Sequence, residues 1–146
     1  MSGDEFTNIV KLKLEKDMIF KCDMGDLKVK DCYIDETNVN EADMWGPNPS
    51  RLLATAILGC LSASFIYCLK KREFVLDSYE AEAKLIGGRN EKGFLRVKEI
   101  NVKLMPKSDN EDVQRRMEKC LKVFEQFCTV TQSVRAGIKV NVNVDI

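Results

Sequence analysis

"WGPNPSRLLATAILGCLSASFIYCLKK", residues 45–71, decides how this chain is built. Each proline steers the residue before it away from helix. Asn48 can cap, Pro49 suits a first helical position, and the run from Leu52 to Leu69 then holds 18 residues without a charge. That length is at the lower edge of what crosses a bilayer core of about 30 Å. Thr55, Gly59, Ser62, Ser64 and three alanines dilute it, however, and the segments around it alternate like one-sided strands of a soluble sheet. The reading is therefore a helix wrapped by protein, not a membrane span. No single small sheet covers such a helix all round, so a second layer or a second subunit is needed, and a homodimer through this helix and the N-terminal strands is expected.

Before the helix, "NIVKLKL" (8–14), "MIFKCDM" (18–24) and "LKVKDCY" (27–33) read as a three-stranded meander. After it, "FVLDSYEAEAKLI" (74–86) sets Val75, Tyr79, Ala81, Ala83 and Leu85 on one face, the period of a half-buried strand. "GGRNEKG" reads as a hairpin turn and "FLRVKEINVKLM" as the returning strand. Its apolar phase slips between Val97 and Ile100, which predicts a bulge near Lys98. "SDNE" (108–111) is a capping box. The helix it opens carries Val113, Met117, Cys120, Leu121 and Phe124 on one stripe, with Arg115, Arg116, Lys119 and Lys122 on a solvated face. "CTVTQSVRAG" predicts a short helix from Cys128 to a C-cap at Gly137, and "IKVNVNVDI" a last strand. The fold class is α+β, and residues 1–146 are expected to form a single domain.

Composition removes several classes of function. The 23 basic residues equal the 23 acidic ones, so no net field recruits nucleic acid or anionic lipid. The N-terminal segment is charged and lacks an apolar signal core, so the expected location is cytoplasmic. The chain has no histidine, which removes imidazole-activated nucleophiles and the Cys/His zinc sets. No cofactor and no metal is expected. Six cysteines, none in a CxxC pair, fit a reducing compartment where thiols are structural or redox-active and not permanent staples. Cys22, Cys32, Cys68 and Cys120 read as small buried hydrophobes. Cys128, at the start of a short helix, has amides and a dipole to hold a thiolate. Cys60 lies far inside its own helix, so a reactive Cys60 needs a cation from another element.

The order of elements, the Asn48-Pro49 pair twelve residues before Cys60, and Cys128-Thr129-Val130 resemble the OsmC/Ohr family, the osmotically inducible and organic hydroperoxide resistance proteins. The resemblance implies an intertwined α+β homodimer with sites at the subunit interface. It further implies that Cys60 attacks an organic hydroperoxide and becomes a sulfenic acid, that Cys128 condenses with it to a disulfide, and that a dihydrolipoyl-type dithiol resets the pair.

Two positions depart from the family's pattern. Ser50 stands where a glutamate usually follows Asn-Pro, and Thr129 where proline usually follows the second cysteine. The arginine which that glutamate orients is not evident. Arg51, nine residues before Cys60, is on the opposite side of an ideal helix and roughly 13 Å away along it. Lys21, Lys28 or Lys30 are the alternative cations, and Glu41 and Asp43 the alternative carboxylates. Two further functions stay open on the residues alone: a dimer binding a small thiol, acyl or apolar ligand beside Cys60 without catalysis, and a purely structural protein with buried thiols.

Overall fold

Asn48 sets the start of the central helix, α1 (Pro49–Lys70). In the computed structural model, which describes residues 6–16, 19–25, 31–37 and 45–146, its Oδ1 accepts hydrogen bonds from the Arg51 amide at 2.9 Å and the Ser50 hydroxyl at 3.1 Å. The first satisfies an amide that the opening turn leaves without a helical acceptor, and Pro49 has no amide there to satisfy. The far end closes at Glu73, whose φ is 59°. There the amides of Arg72 and Phe74 fold back onto the Leu69 carbonyl.

The chain divides into two compact units, residues 1–52 and 53–146. In the first, β1 (Lys11–Lys16), β2 (Ile19–Asp23) and β3 (Tyr33–Asp35) pair antiparallel in chain order. The meander is as expected; of its third strand, read over 27–33, residues 27–30 lie outside the described residues, and the described part runs from Tyr33 to Asp35. Asp35 anchors its end. Its carboxylate is buried and accepts from the Thr37 amide at 3.1 Å, the Thr37 hydroxyl at 2.5 Å and the Trp45 amide at 3.3 Å. A buried carboxylate needs such donors, and Thr37 and Trp45 supply them. Trp45 stands edge-on to Tyr33 at 5.1 Å, and a Cβ on Gly46 would strike the Tyr33 carbonyl.

The second unit packs a hairpin, β4 (Ser78–Arg89) and β5 (Leu95–Lys107), with the rest of α1, α2 (Glu111–Leu121), a single 3-10 turn (Phe124–Phe127) and α3 (Thr129–Ala136). Tyr79, Ala81, Ala83 and Leu85 form the inner face of β4, as their spacing predicts. Val75 lies before the strand and is exposed. The turn is tighter than "GGRNEKG": both glycines at 87–88 stay in the ladder, and the chain reverses between Asn90 and Phe94, with Gly93 at φ 83°. Ile86 pairs with Glu99 and Gly87 with Val97, leaving Lys98 as the bulged residue.

Ile57, Leu61, Phe65 and Leu69, four residues apart on α1, are buried with Cys120, Phe124 and Cys128 as the core of this unit. The Phe65 ring meets Phe124 edge-on at 5.4 Å and stacks with Tyr79 at 6.5 Å. Only this stripe is fully buried. Thr55, Gly59, Ala63 and Tyr67, on the other side, are exposed, so the wrapping on all sides that the sequence predicts is not completed among the described residues. By length and composition α1 could cross a membrane.

Three local readings are corrected. The N-cap of α2 is Asn110, whose Oδ1 accepts from the Asp112 and Val113 amides. Ser108 instead accepts from the Asn110 amide at 3.2 Å, two residues too early to cap. Arg116 is not on a solvated face, because its guanidinium turns inward to Cys68. Residues 138–146 form no strand: they alternate as predicted, but every one is exposed and no ladder among the described residues receives them.

Candidate functional site

Cys60 and Cys128 meet in the second unit. Cys60 projects from the middle of α1 and is partly buried. Cys128 is fully buried at the N-cap of α3. The 3-10 turn delivers Cys128 there: its amide donates to the Glu125 carbonyl at 3.1 Å, and its own carbonyl accepts from Gln132 at 3.0 Å to begin α3. The Gln132 side chain ties back to the Glu125 carbonyl at 3.0 Å. Gly137, at φ 80°, closes the helix as expected.

The two thiols are not equivalent. Burial pushes the Cys60 thiol up, and a hydrogen bond from Cys60 to the Cys128 sulfur adds to this. The backbone amides of Val130 and Thr129 act in the other direction. Burial also works against a Cys128 thiolate, but the Thr131 hydroxyl, the Cys60 thiol, the Thr131 amide and the Ser64 hydroxyl together outweigh it, and the Cys128 thiol is lowered. Thr131 Oγ1 is 3.0 Å from the Cys128 sulfur and is itself buried. The first turn of α3 thus points its amides at both sulfurs, which is what a helix N-terminus offers an anion.

Its own helix terminus is too far to help Cys60; among the described residues the groups another element brings to it are the Val130 and Thr129 amides of α3. Thr131 and Ser64 were missed by sequence reasoning. The signals were the Cys128-x-x-Thr131 spacing of an N-cap and its third helical residue, and the one-turn spacing of Cys60 and Ser64.

Of the other predicted positions, Ser50 and Lys21 are among the described residues. The Ser50 hydroxyl donates to the Asn48 side chain that caps α1. Lys21 is exposed on β2. Glu41, Asp43, Lys28 and Lys30 lie outside the described residues. Among the described residues no group of three His, Cys, Asp or Glu side chains is placed to hold a metal ion.

A cavity of about 430 Å³, within the range of small-molecule sites, adjoins the pair through Thr131. Ile57, Leu61, Ile100, Val102 and Phe124 make it largely apolar. Arg135 lines it and is ion-paired with Glu125 at 2.7 Å. Neither cysteine is on its wall. The remaining four cysteines also come in pairs. Cys22 and Cys32 are neighbours in the first unit, with the Cys22 amide donating to the Cys32 carbonyl at 2.8 Å. Burial and the Cys32 thiol push Cys22 up to about 11. Cys68 and Cys120 are joined by a disulfide, a correction to the reading of both as inert hydrophobes.

Comparison with known proteins bears on the family and the fold. The sequence model of the family described as OsmC-like protein matches residues 40–143. Among curated protein sequences none matches the chain. An OsmC-like protein from Mycoplasma pneumoniae has a solved structure similar at TM-score 0.71 and 17% identity, covering 97% of each chain. An OsmC-like protein of unknown function from Vibrio cholerae is similar at TM-score 0.71 and 13% identity, covering 88% of this chain and 94% of its own. The organic hydroperoxide resistance protein OhrB of Bacillus subtilis is similar at TM-score 0.61 and 22% identity, covering 90% and 93%. At these identities the structures speak for the fold.

Proposed function

The chain belongs to the OsmC-like protein family, and on that premise we propose that it reduces organic hydroperoxides with Cys60 and Cys128. The observation that carries this reading is the hydrogen-bonded pair itself, with the acidic thiol buried and the less acidic one accessible.

Of the two sulfurs, Cys60 is the one a peroxide can reach, and Cys128 supplies the base. The Cys128 thiolate takes the Cys60 proton as Cys60 attacks the terminal peroxide oxygen. The O–O bond breaks, Cys60 becomes a sulfenic acid, and the alkoxide leaves as alcohol with the proton from Cys128. Cys128, again a thiolate, attacks the Cys60 sulfur and hydroxide leaves as water. A dithiol of the lipoyl class reduces the resulting disulfide by two exchange steps and is itself oxidised to a cyclic disulfide. The apolar cavity beside Thr131 suits the organic part of the peroxide.

A homodimer belongs to the proposal. Its support is the exposed small-residue face of α1 and the alternating segment 138–146, which joins no ladder among the described residues, both of which a second copy would cover. A single domain across 1–146 is supported by a family match that runs across the boundary between the two units. With 23 charges of each sign, the proposed setting is cytoplasmic, away from membranes and nucleic acid.

The raised Cys60 thiol, with burial as its first cause, and the open cavity favour one alternative: a dimer that holds an apolar, acyl or thiol ligand without turning it over. Hydroperoxide consumption by the pure protein and by its Cys60→Ser variant separates the two. Loss of consumption in the variant supports peroxidase chemistry. Equal consumption, or none in either protein, removes it in favour of the binding module.

A further inference from the structure

The disulfide between Cys68 and Cys120 spans 52 residues of sequence and ties the last turns of α1 to α2, with Cα atoms 5.9 Å apart. Cys120 is fully buried, whereas Cys68 is only partly covered. Arg116, one turn before Cys120, reaches across to it. Its Nη2 donates to the Cys68 carbonyl at 3.1 Å and lies 3.6 Å from the Cys68 sulfur. Among the described residues no carboxylate pairs with this guanidinium, and its buried Nε has no hydrogen-bond acceptor.

A buried donor without an acceptor and a half-buried positive charge beside two neutral sulfurs are both unfavourable. Reduction removes the conflict, since a thiolate beside Arg116 supplies the missing charge and acceptor. A disulfide serving only as a staple gains nothing from that cation.

Arg116 also lines a cavity of about 340 Å³ with Arg72, Phe74, Asp112, Arg115 and Lys119; neither Cys68 nor Cys120 is on its wall, and Arg116 is the residue that joins it to the disulfide. Asp112 is ion-paired with Arg115. Among the described residues Arg72, Arg116 and Lys119 therefore leave it positively charged.

We infer that Cys68, Cys120 and Arg116 form a second thiol–disulfide centre, separate from Cys60 and Cys128, whose exchange partner is an anionic small thiol received in this cavity. The incoming thiolate attacks the Cys68 sulfur, the more accessible one. The Cys68–Cys120 bond breaks, and Cys120 leaves with the electron pair and takes a proton from solvent. A second thiol then attacks the sulfur of the bound one and releases Cys68 as a thiolate facing Arg116. Two thiols become one disulfide, and two electrons pass to the cysteine pair.

The test compares three thiols of one skeleton: 2-mercaptoethanesulfonate, 2-mercaptoethanol and cysteamine. The folded Cys60→Ser/Cys128→Ser chain, oxidised beforehand with a disulfide reagent, is treated with each. Alkylation and peptide mapping then read Cys68 and Cys120. The expected result, per thiolate, is reduction about tenfold faster by the sulfonate than by the neutral thiol, with the cationic thiol slowest. Salt should compress the series, and Arg116→Gln should flatten it. Equal rates for the three thiols, reduction only after unfolding, or failure of the two cysteines to pair at all overturns the inference. Mapping isolates these two positions, so the unmodified chain, with Lys119→Gln and a salt series, gives the same decision where the variants do not fold.

Discussion

The Cys128 sulfur lies 3.0 Å from the hydroxyl of Thr131, three residues further along the first turn of α3. Among the influences that favour a Cys128 thiolate this hydroxyl is the largest, and a hydrogen bond to a charged group contributes about 1.5–3 kcal/mol. Thr131→Val keeps the shape and removes the bond. The peroxide reaction of the variant is expected to move its pH profile to the alkaline side and to slow about tenfold at neutral pH; stopped-flow consumption of an alkyl hydroperoxide from pH 5 to 9 measures both.

Cys128→Ser separates two roles of one residue. A cysteine that only resolves leaves the first oxidation of Cys60 unchanged when removed. A cysteine that also takes the Cys60 proton slows it. General-base assistance contributes about a hundredfold or more, so sulfenic acid formation, trapped with a dimedone reagent, is expected to slow by about that factor in the variant.

Cys22 links stability to pH. Its thiol is raised from 9.0 to about 11, burial being the first cause. The folded state therefore keeps a proton that the unfolded chain gives up. The contribution of this group to stability is complete below the unfolded value of 9.0 and is lost as pH rises toward about 11. Urea unfolding between those limits should show stability falling with pH, and Cys22→Ala should reduce the slope.

Phe65 is fully buried between Phe124 and Tyr79. Phe65→Ala is expected to destabilise the second unit by about 3–5 kcal/mol, read as a lower urea midpoint.

Much of the fold was legible because its signals are local. Asn48 and Pro49 announce α1 by capping chemistry, the phase slip after Val97 announces the bulge at Lys98, and Gly137 announces the end of α3. The candidate pair was legible only in part. Family resemblance singled out Cys60 and Cys128, but the amides of Thr129 and Val130 that face Cys60 belong to a helix nearly seventy residues away in sequence. No periodicity reports such a contact. The same limit hid the disulfide between Cys68 and Cys120 and turned Arg116 from an expected surface charge into a half-buried one. Residues 138–146 fail for the opposite reason: their alternation specifies a strand, but a strand also needs an edge to pair with, and among the described residues none pairs with it.

The most direct test of the peroxidase reading is mass spectrometry of the intact protein before and after one equivalent of an organic hydroperoxide, with peptide mapping of the product. The expected result is the loss of two hydrogens, located in a new bond between Cys60 and Cys128. Both cysteines recovered as free thiols, with the hydroperoxide unconsumed, would contradict it.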